Sequence, residues 1–256
     1  MWPYDLNLGP FYISLYGLMV GLGVAAGLFL TRFSAPLAGL NSDKAFNLAF
    51  WLILAGLVGS RAAYVLNNLG LFAKQPLDSL MYWKGGLMFQ GGLAGGLIAL
   101  GLLVLAGRAK LFISGDALAP GLALGQAIGR LGCLAVGCCY GRPAPSWFPL
   151  GMSFRSSSVA PFGQTLYPTQ ATESIGLFIL TAFLMHCLRK KTFRQGTVMA
   201  MYLTGTGLLR LLMEFFRGDH RGQAVLGLAP TSWAALAIFI SGLTIFWYLK
   251  TRPVSG

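Results

Sequence analysis

Three arginines interrupt long apolar stretches of this 256-residue chain: Arg61, Arg130 and Arg210. An arginine at the centre of a bilayer costs roughly 2.5–3.5 kcal/mol on insertion scales, so a charge retained there needs a partner or a function. The candidate counter-charges in or beside the same stretches are Asp116, Glu173 and Glu214. Arg210 and Glu214 are four residues apart, so on a helix they share a face and can pair.

Two interpretations of these charges remain open. In the first, each charge is structural, as an ion pair that pins two helices or as a side chain that reaches the membrane interface. In the second, the set lines a polar cavity in which the excess of arginine binds an anion. A lipid phosphate suits such a cavity, because a guanidinium donates paired hydrogen bonds to phosphate oxygens. Each charge taken singly fits either interpretation equally well, and the set as a whole favours the cavity.

A glycine-rich segment spans 85–96 (GGLMFQGGLAGG). Small residues four apart, such as Gly92 and Gly96, let two membrane helices approach closely, and we expect this to be the main role of the segment. Gln90 lies inside the run and is polar but uncharged, so it is a candidate to line the same cavity as the arginines.

Three of the four cysteines form a C-x4-C-C pattern: Cys133, Cys138 and Cys139. Zinc sites usually show paired C-x2-C units or histidine ligands, and the two histidines, His186 and His220, lie far away in sequence. The spacing therefore predicts no metal site. A disulfide or a reactive thiol on an oxidising side of the membrane is an alternative, and packing as small buried residues is the interpretation that we favour.

The composition indicates the class of protein in which these arginines and cysteines lie. The chain is 55% hydrophobic and only 10% charged, with 19 Lys and Arg against 7 Asp and Glu, a net charge of +12. Soluble domains carry about 25% charged residues, so a soluble enzyme is excluded, as are a disordered tail and a secreted disulfide scaffold. A basic balance can indicate nucleic acid, but apolar runs of this length predict an integral membrane protein with no nucleic-acid partner. The first ten residues carry Asp5 and no Lys or Arg, so we expect no cleaved signal peptide.

Seven stretches approach the length of about 20 apolar residues that a membrane-spanning helix needs. They cover roughly 11–31, 46–66, 86–107, 117–137, 170–188, 197–216 and 230–249. The sequence therefore predicts an all-α integral membrane protein with seven transmembrane helices, forming a single transmembrane domain over 1–256. No internal repeat is visible, which argues against an inverted-repeat transporter.

The distribution of basic residues predicts the orientation of this domain, since cytoplasmic flanks are enriched in Lys and Arg. One set of flanks carries ten: Arg32, Lys44, Arg108, Lys110, Arg189, Lys190, Lys191, Arg194, Lys250 and Arg252. The opposite set carries six: Lys74, Lys84, Arg142, Arg155, Arg217 and Arg221. We therefore expect the N-terminus outside and the C-terminus in the cytoplasm. The longest loop, 138–168, then lies on the outer face, and its five prolines exclude one continuous helix.

Seven short motifs occur along the chain in a fixed order. They are 15–19 (LYGLM), 59–66 (GSRAAYVL), 85–93 (GGLMFQGGL), 115–120 (GDALAP), 129–142 (GRLGC through GCCYGR), 167–173 (YPTQ with a following Glu) and 205–217 (GTGLLR with EFFR). Each motif is weak alone. Together, over about residues 8 to 218 and on a matching seven-span pattern, they make the chain resemble the prolipoprotein diacylglyceryl transferase family.

This resemblance implies a multi-pass enzyme of the bacterial cytoplasmic (inner) membrane. Such an enzyme moves the diacylglyceryl group of phosphatidylglycerol to the lipobox cysteine of a prolipoprotein, and glycerol phosphate leaves. The implied partners are phosphatidylglycerol, the signal-peptide and lipobox region of the prolipoprotein, and the bilayer. The resemblance implies no cofactor and no metal.

The resemblance also suggests roles for individual residues. The catalytic residues would be Arg130 and Arg210, at the lipid phosphate, with Tyr16 at the head group. The substrate-binding residues would be Arg61, Gln90, Gly141 and Gln170. Glu173 and Glu214 would orient the two catalytic arginines from behind.

The chain departs from the family pattern at five positions. The family has His at Gln90, Asn at Cys133, Glu at Cys138, His at Tyr167 and Tyr at Thr206. The lipid-binding residues are therefore retained, while the proposed proton acceptor at Gln90 is replaced. Two alternatives to the transferase follow: a divergent paralogue that uses another acceptor or thiol chemistry in the same lipid cavity, and a non-enzymatic lipid binder or transporter.

Overall fold

The computed structural model of the chain describes residues 5–8, 11–73, 75–82, 85–154, 159–219 and 229–251. Within these ranges the chain forms eight α-helices, one 3-10 helix and four short strands. Several residues used above to predict orientation or metal binding lie outside the described residues: Lys74, Lys84, Arg155, His220, Arg221 and Arg252.

Each of the seven predicted apolar stretches overlaps one long helix. These helices are α1 (Leu15–Leu37), α2 (Ser42–Asn67), α4 (Phe89–Leu105), α5 (Leu111–Val136), α6 (Thr169–Lys190), α7 (Thr197–Glu214) and α8 (Pro230–Thr251). A short helix α3 (Leu69–Phe72) and a 3-10 helix (Pro76–Leu80) follow α2. Five helices, α1, α2, α5, α6 and α8, are long and apolar enough to cross a membrane, and α4 is apolar but has only 17 residues.

The predicted all-α class is confirmed apart from two short pairs of strands, and the first helix begins at Leu15, later than predicted. Residues Phe11–Ser14 form a strand, β2, that pairs antiparallel with β1 (Asp5–Leu8). Because the backbone of 11–14 is used in this ladder, a helix can begin only at Leu15. A second small pair, β3 (Met152–Ser153) with β4 (Thr165–Leu166), lies inside the predicted outer loop.

Helix α5 is the centre of the bundle. It packs along α1 on one side and α6 on another, while α2 packs with α4 and α7 with α8. The α1–α5 contact is close because glycines face each other, and a Cβ on Gly27 would lie 2.8 Å from the carbonyl oxygen of Gly121. Small buried residues such as Ala119 and Ala123 continue this contact surface along α5. The helix that carries Arg130 is thereby fixed by neighbours on several sides.

Close packing by the glycine-rich segment is confirmed, but the tightest positions differ from those expected by one residue. A Cβ on Gly95 would lie 2.5 Å from the carbonyl oxygen of Ala55, whereas one on Gly96 would lie 3.8 Å from the nearest atom, the carbonyl oxygen of Leu52. Gly91 and Gly95 are therefore the residues of α4 that most closely approach α2, rather than Gly92 and Gly96.

Asp116 does not serve as a counter-charge to the buried arginines, so that expectation was wrong. Its carboxylate accepts hydrogen bonds from the main-chain N–H groups of Gly196 at 2.6 Å and Met199 at 2.7 Å. It therefore caps the start of α7, where unpaired N–H groups favour a negative charge. Asp116 and Arg130 are fourteen positions apart on α5, about 21 Å along the helix axis.

The α2–α4 contact gives a matched pair of substitutions for testing this fold. We expect Gly95→Ala to lower the apparent Tm of the purified protein in detergent, because its new methyl group would overlap the backbone of α2, and overpacking costs about 1–3 kcal/mol. Gly96→Ala is the control in the same helix, where the added carbon has an ordinary contact distance. Equal losses of Tm in both variants would contradict the packing described here.

Candidate active site

Glu173 connects three arginines from different parts of the chain. Its carboxylate lies 2.9 Å from Nη2 of Arg130, 3.5 Å from Nη1 of Arg210 and 3.9 Å from Nη1 of Arg217. Glu173 stands in the second turn of α6, Arg130 on α5, Arg210 on α7, and Arg217 just after α7. A buried carboxylate is tolerated only when it is paired, and here one carboxylate holds three elements together.

The three arginines differ in how exposed their side chains are and in how fully other protein groups bind them. Arg217 has a side chain only 2% exposed, and its Nε and Nη2 bind the two carboxylate oxygens of Asp219 at 3.0 and 2.9 Å. The side chains of Arg130 and Arg210 are 22% and 18% exposed. Arg217 is thus a structural member of the cluster, while Arg130 and Arg210 retain surface that an anion can reach. Sequence reasoning missed Arg217 and Asp219, although the EFFR motif includes Arg217.

Gly141 lies where three segments meet. The main chain after α5 is bound to the main chain after α7, since the N–H of Arg142 donates to the carbonyl of Phe216 at 2.8 Å and that of Gly218 to the carbonyl of Tyr140 at 3.1 Å. Gly141 is buried in this junction, and a Cβ on it would overlap the backbone and Cβ of Tyr167. The structure therefore shows a packing reason for glycine at this predicted substrate-binding position.

Gln170 fixes the backbone of the cysteine pair. It is 1% exposed, and its Nε2 donates to the carbonyl of Cys138 at 2.9 Å. The neighbouring Thr169 hydroxyl donates to the carbonyl of Cys139 at 2.9 Å. The two residues belong to the first turn of α6, so the start of α6 positions both the cysteine backbone and Glu173.

The sulfur atoms of Cys133, Cys138 and Cys139 lie within 4.8 Å of one another, and all three thiols are free. The chain reverses after α5, because Gly137 ends the helix in the left-handed conformation at φ 72°, and Cys139 follows at φ 60°. This reversal brings together three residues for which the sequence favoured packing, with a disulfide or a reactive thiol as the alternative.

The cysteine cluster lies within electrostatic range of Arg130 and Arg217. Hydrogen bonds from the Cys133 and Cys138 thiols lower the pKa of Cys139, and the nearby positive charge of Arg217 acts in the same direction against the opposing effect of burial. The arginine and cysteine groups therefore form one continuous polar region at this end of α5.

Tyr16 lies beside this region, at the start of α1. Its ring packs against α5 so closely that a Cβ on Gly132 would lie 3.4 Å from its Cδ2, and its side of α1 faces Arg130 and the cysteines. Tyr16 is 44% exposed, so part of the residue can be reached from outside the bundle. Glu214, the last residue of α7, is half-buried one turn after Arg210.

Arg61 has a different environment from Arg130 and Arg210. It is 4% exposed and donates to five main-chain carbonyls, those of Asp78, Ser79, Met81, Gly85 and Gly86. The rings of Tyr64, Phe72 and Tyr82 surround its guanidinium carbon at 5.5–5.8 Å. Five is the full number of N–H donors on a guanidinium, so Arg61 holds the segment between α3 and α4 with all of them.

Gln90 is exposed in the first turn of α4, next to the segment that Arg61 holds. The preceding Met88 is anchored to α2 by two bonds, from its N–H to the carbonyl of Ser60 at 3.2 Å and from the Ser60 hydroxyl to its carbonyl at 2.9 Å. The structure thus brings Arg130, Arg210 and Glu173 together, with Arg61 and Gln90 on the α2–α4 side of the bundle.

Comparison with known proteins identifies the family. A family model described as prolipoprotein diacylglyceryl transferase matches residues 3–248. The chain is 32% identical over 246 residues to phosphatidylglycerol–prolipoprotein diacylglyceryl transferase 2 of Clostridium perfringens, with 95% of this chain and 94% of the relative covered. It is 33% identical over 252 residues to the phosphatidylglycerol–prolipoprotein diacylglyceryl transferase of Bordetella avium, with 95% and 93% covered. The chain therefore belongs to the prolipoprotein diacylglyceryl transferase family.

Proposed function

We propose that this protein transfers the diacylglyceryl group of phosphatidylglycerol to the lipobox cysteine of prolipoproteins. The names of its relatives support this activity, and the observation that carries it in the structure is the pair of partly exposed arginines, Arg130 and Arg210, held by one buried carboxylate. Glu173 fixes both guanidiniums before any substrate arrives. The site is therefore prepared to bind a phosphodiester.

The reaction explains why two fixed arginines are needed. The thiolate of the acceptor attacks the glyceryl carbon that bears the phosphate ester, a carbon–sulfur bond forms, and the carbon–oxygen bond breaks. Its electron pair goes to the phosphate oxygen, so glycerol phosphate leaves with one more negative charge. Donors already aimed at that oxygen stabilise the developing charge without reorganising, which is the largest single effect in many enzymes. Arg130 and Arg210 supply these donors.

The remaining predicted site residues support this centre in different ways. Tyr16 is accessible beside Arg130, and its phenol donates to the lipid head group. Glu173 and Glu214 orient the arginines. Gln170 and Gly141 hold the backbone next to the cysteines, and act on substrate through that backbone. Gln90 faces the α2–α4 side, where its amide contacts the lipid or the peptide without accepting a proton.

Arg61 is a positioning residue in this proposal. All five of its donors are bound to carbonyls of the segment 78–86, so it shapes that segment instead of contacting a phosphate. The two buried arginine environments therefore correspond to the two interpretations of the sequence: Arg61 is structural, and Arg130 with Arg210 forms the anion site.

The proposed topology places seven helices across the bacterial inner membrane, with the N-terminus outside and the C-terminus in the cytoplasm. Seven long helices and the ten basic residues of the alternate flanks support it, although α4 and α7 are shorter than the other five. The loop 138–168 and the cysteine cluster then face outwards, the side on which the signal peptide of a secreted prolipoprotein presents its lipobox. The partners are phosphatidylglycerol, that signal peptide and the surrounding bilayer.

Substitution of the phosphate-binding arginines tests the activity. With purified protein, phosphatidylglycerol and a lipobox peptide, we expect Arg130→Ala and Arg210→Ala each to lower kcat about 10²–10³-fold, the effect of removing one donor from a site of developing charge. The measurement is the mass increase of the peptide. Arg32→Ala is the control, because Arg32 forms an ion pair with Asp43 in which both side chains are more than half exposed.

Complementation of a transferase-depleted bacterium separates the alternatives to this proposal. Rescue by the wild type and failure of the folded Arg130→Ala and Arg210→Ala proteins supports the transferase. Transfer to a different thiol acceptor alone indicates the divergent paralogue. Lipid binding with neither transfer nor rescue, next to an active relative as a positive control, would refute the enzyme.

The role of Arg61 is tested by Arg61→Lys. An ammonium group has three donors, so at least two of the five carbonyls lose their partner, and each unpaired buried acceptor costs about 1–3 kcal/mol. We expect a lower apparent Tm and faster proteolysis near 78–86, with an unchanged KM for phosphatidylglycerol in the protein that remains folded. A raised KM at normal Tm would instead place Arg61 on the substrate.

A further inference from the structure

Three thiols converge beside the phosphate-binding arginines, and the reaction described above gives them no role. The sulfur atoms of Cys133, Cys138 and Cys139 lie within 4.8 Å of one another, a distance that three residues of a C-x4-C-C pattern reach only through the chain reversal at Gly137. In a tetrahedral zinc site with Zn–S bonds of about 2.3 Å, the sulfur atoms lie about 3.8 Å apart. Side-chain rotations that bring the sulfur atoms about 1 Å closer together would convert the observed arrangement into that of a zinc site.

We propose that Cys133, Cys138 and Cys139 bind one Zn²⁺ as three thiolates, and that the fourth coordination position takes the thiol of the lipobox cysteine. The metal site rests on the sulfur geometry and on the groups around the cysteines, and does not depend on the proposed transferase function. The identity of the fourth ligand rests in addition on the proposed transferase function. Three protein ligands and one open position are the arrangement of catalytic zinc, whereas structural zinc has four protein ligands.

The backbone of the proposed site is already fixed. The carbonyl of Cys138 accepts from Gln170, that of Cys139 accepts from Thr169, and the N–H of Cys138 donates to the carbonyl of Cys133 at 3.1 Å. Ligands held by such bonds lose little freedom when a metal binds, and groups that orient ligands tune the affinity of a site. Gln170, which is almost completely buried, therefore acts on the metal through the cysteine backbone.

The surrounding charges favour the bound form. Three thiolates and one Zn²⁺ carry a net charge of −1, which is costly to bury without a partner. Arg217 lies within electrostatic range of Cys139, and Arg130 within that of Cys133 and Cys139. The same arginine cluster that prepares the phosphate site thus balances the charge of the metal site, and it brings the two close together.

The metal accounts for activation of the acceptor. A thiol that coordinates a metal cation is deprotonated outright, and its proton passes to water. The bound sulfur then attacks the glyceryl carbon, the carbon–oxygen bond of the phosphodiester breaks, and glycerol phosphate leaves from Arg130 and Arg210. The product is a neutral thioether, a much weaker ligand, so it dissociates and the position is open again. Gln90 has no titratable group, and in this scheme none is needed there.

Metal binding is tested on the full-length protein in detergent, after chelator treatment under reducing conditions. With Zn²⁺ we expect one equivalent per chain by elemental analysis, and with Co²⁺ the intense near-ultraviolet absorption of cobalt–thiolate bonds. Cys133→Ser, Cys138→Ser and Cys139→Ser should each lose this absorption. Cys187→Ala is the matched control, because Cys187 is the remaining cysteine and lies in α6 away from the cluster.

Three results would overturn the metal site. The first is a folded wild-type protein that binds neither ion, and the second is a disulfide between two of the three cysteines that persists after mild reduction. The third is cobalt absorption that survives the three serine substitutions. A four-thiol count by reaction with a thiol reagent in the metal-free protein, falling to one when Zn²⁺ is added, supports the site independently.

A lipobox peptide tests the fourth ligand. Addition of the peptide to the Co²⁺ form should shift the visible cobalt bands, and the same peptide with serine in place of its cysteine should not. No shift with the cysteine peptide overturns the acceptor role, as does full transferase activity in metal-free protein. If the cobalt site and the peptide shift are present but no form of the protein transfers diacylglyceryl, the transferase proposal fails and the metal site stands.

Discussion

One buried carboxylate shared by three arginines is the interaction on which the rest of the structure depends. Glu173 lies in α6, and its partners come from α5, from α7 and from the segment after α7. Removing Glu173 would leave three neighbouring arginines without their shared counter-charge, which is far more costly than an ion pair is stabilising. The helices must therefore converge on one point. Because Arg217 is also bound by Asp219, this convergence leaves Arg130 and Arg210 as its partly exposed cationic face.

Small residues allow the helices to meet closely enough for these contacts. Glycines on α1 face glycines on α5, and Gly91 and Gly95 of α4 lie against the backbone of α2. Between apolar helices in lipid, association depends on such packing and on polar contacts, because the lipid is as apolar as the side chains. Polar groups elsewhere have the same organising role, with Asp116 capping α7 and Arg61 binding five carbonyls. In both cases the charged side chain is bound by main-chain groups and takes no part in the Glu173 cluster.

The end of α5 carries residues of both the arginine cluster and the thiol cluster. Arg130 and Cys133 are three residues apart on this helix, and the reversal at Gly137 returns Cys138 and Cys139 towards them. The first turn of α6 then holds the returning backbone through Gln170 and Thr169, and its next turn supplies Glu173. A phosphate-binding face and a thiol cluster are in this way positioned by the same two helix ends, so neither can move independently of the other.

The sequence by itself determined the seven helical stretches and the arginines within them, because hydropathy is a local property and a charge in an apolar run is conspicuous without any structure. It also determined the family, through motifs that lie in order along the chain. Only the tertiary structure decided which charge pairs with which: Arg210 could be matched by spacing to Glu214 within α7, but its contact with Glu173 crosses between helices. The pairing of 11–14 with β1, the capping of α7 by Asp116 and the meeting of three sulfur atoms were hidden for the same reason. Contacts between distant segments depend on how helices pack and where the chain reverses, and neither can be read from local residue pattern.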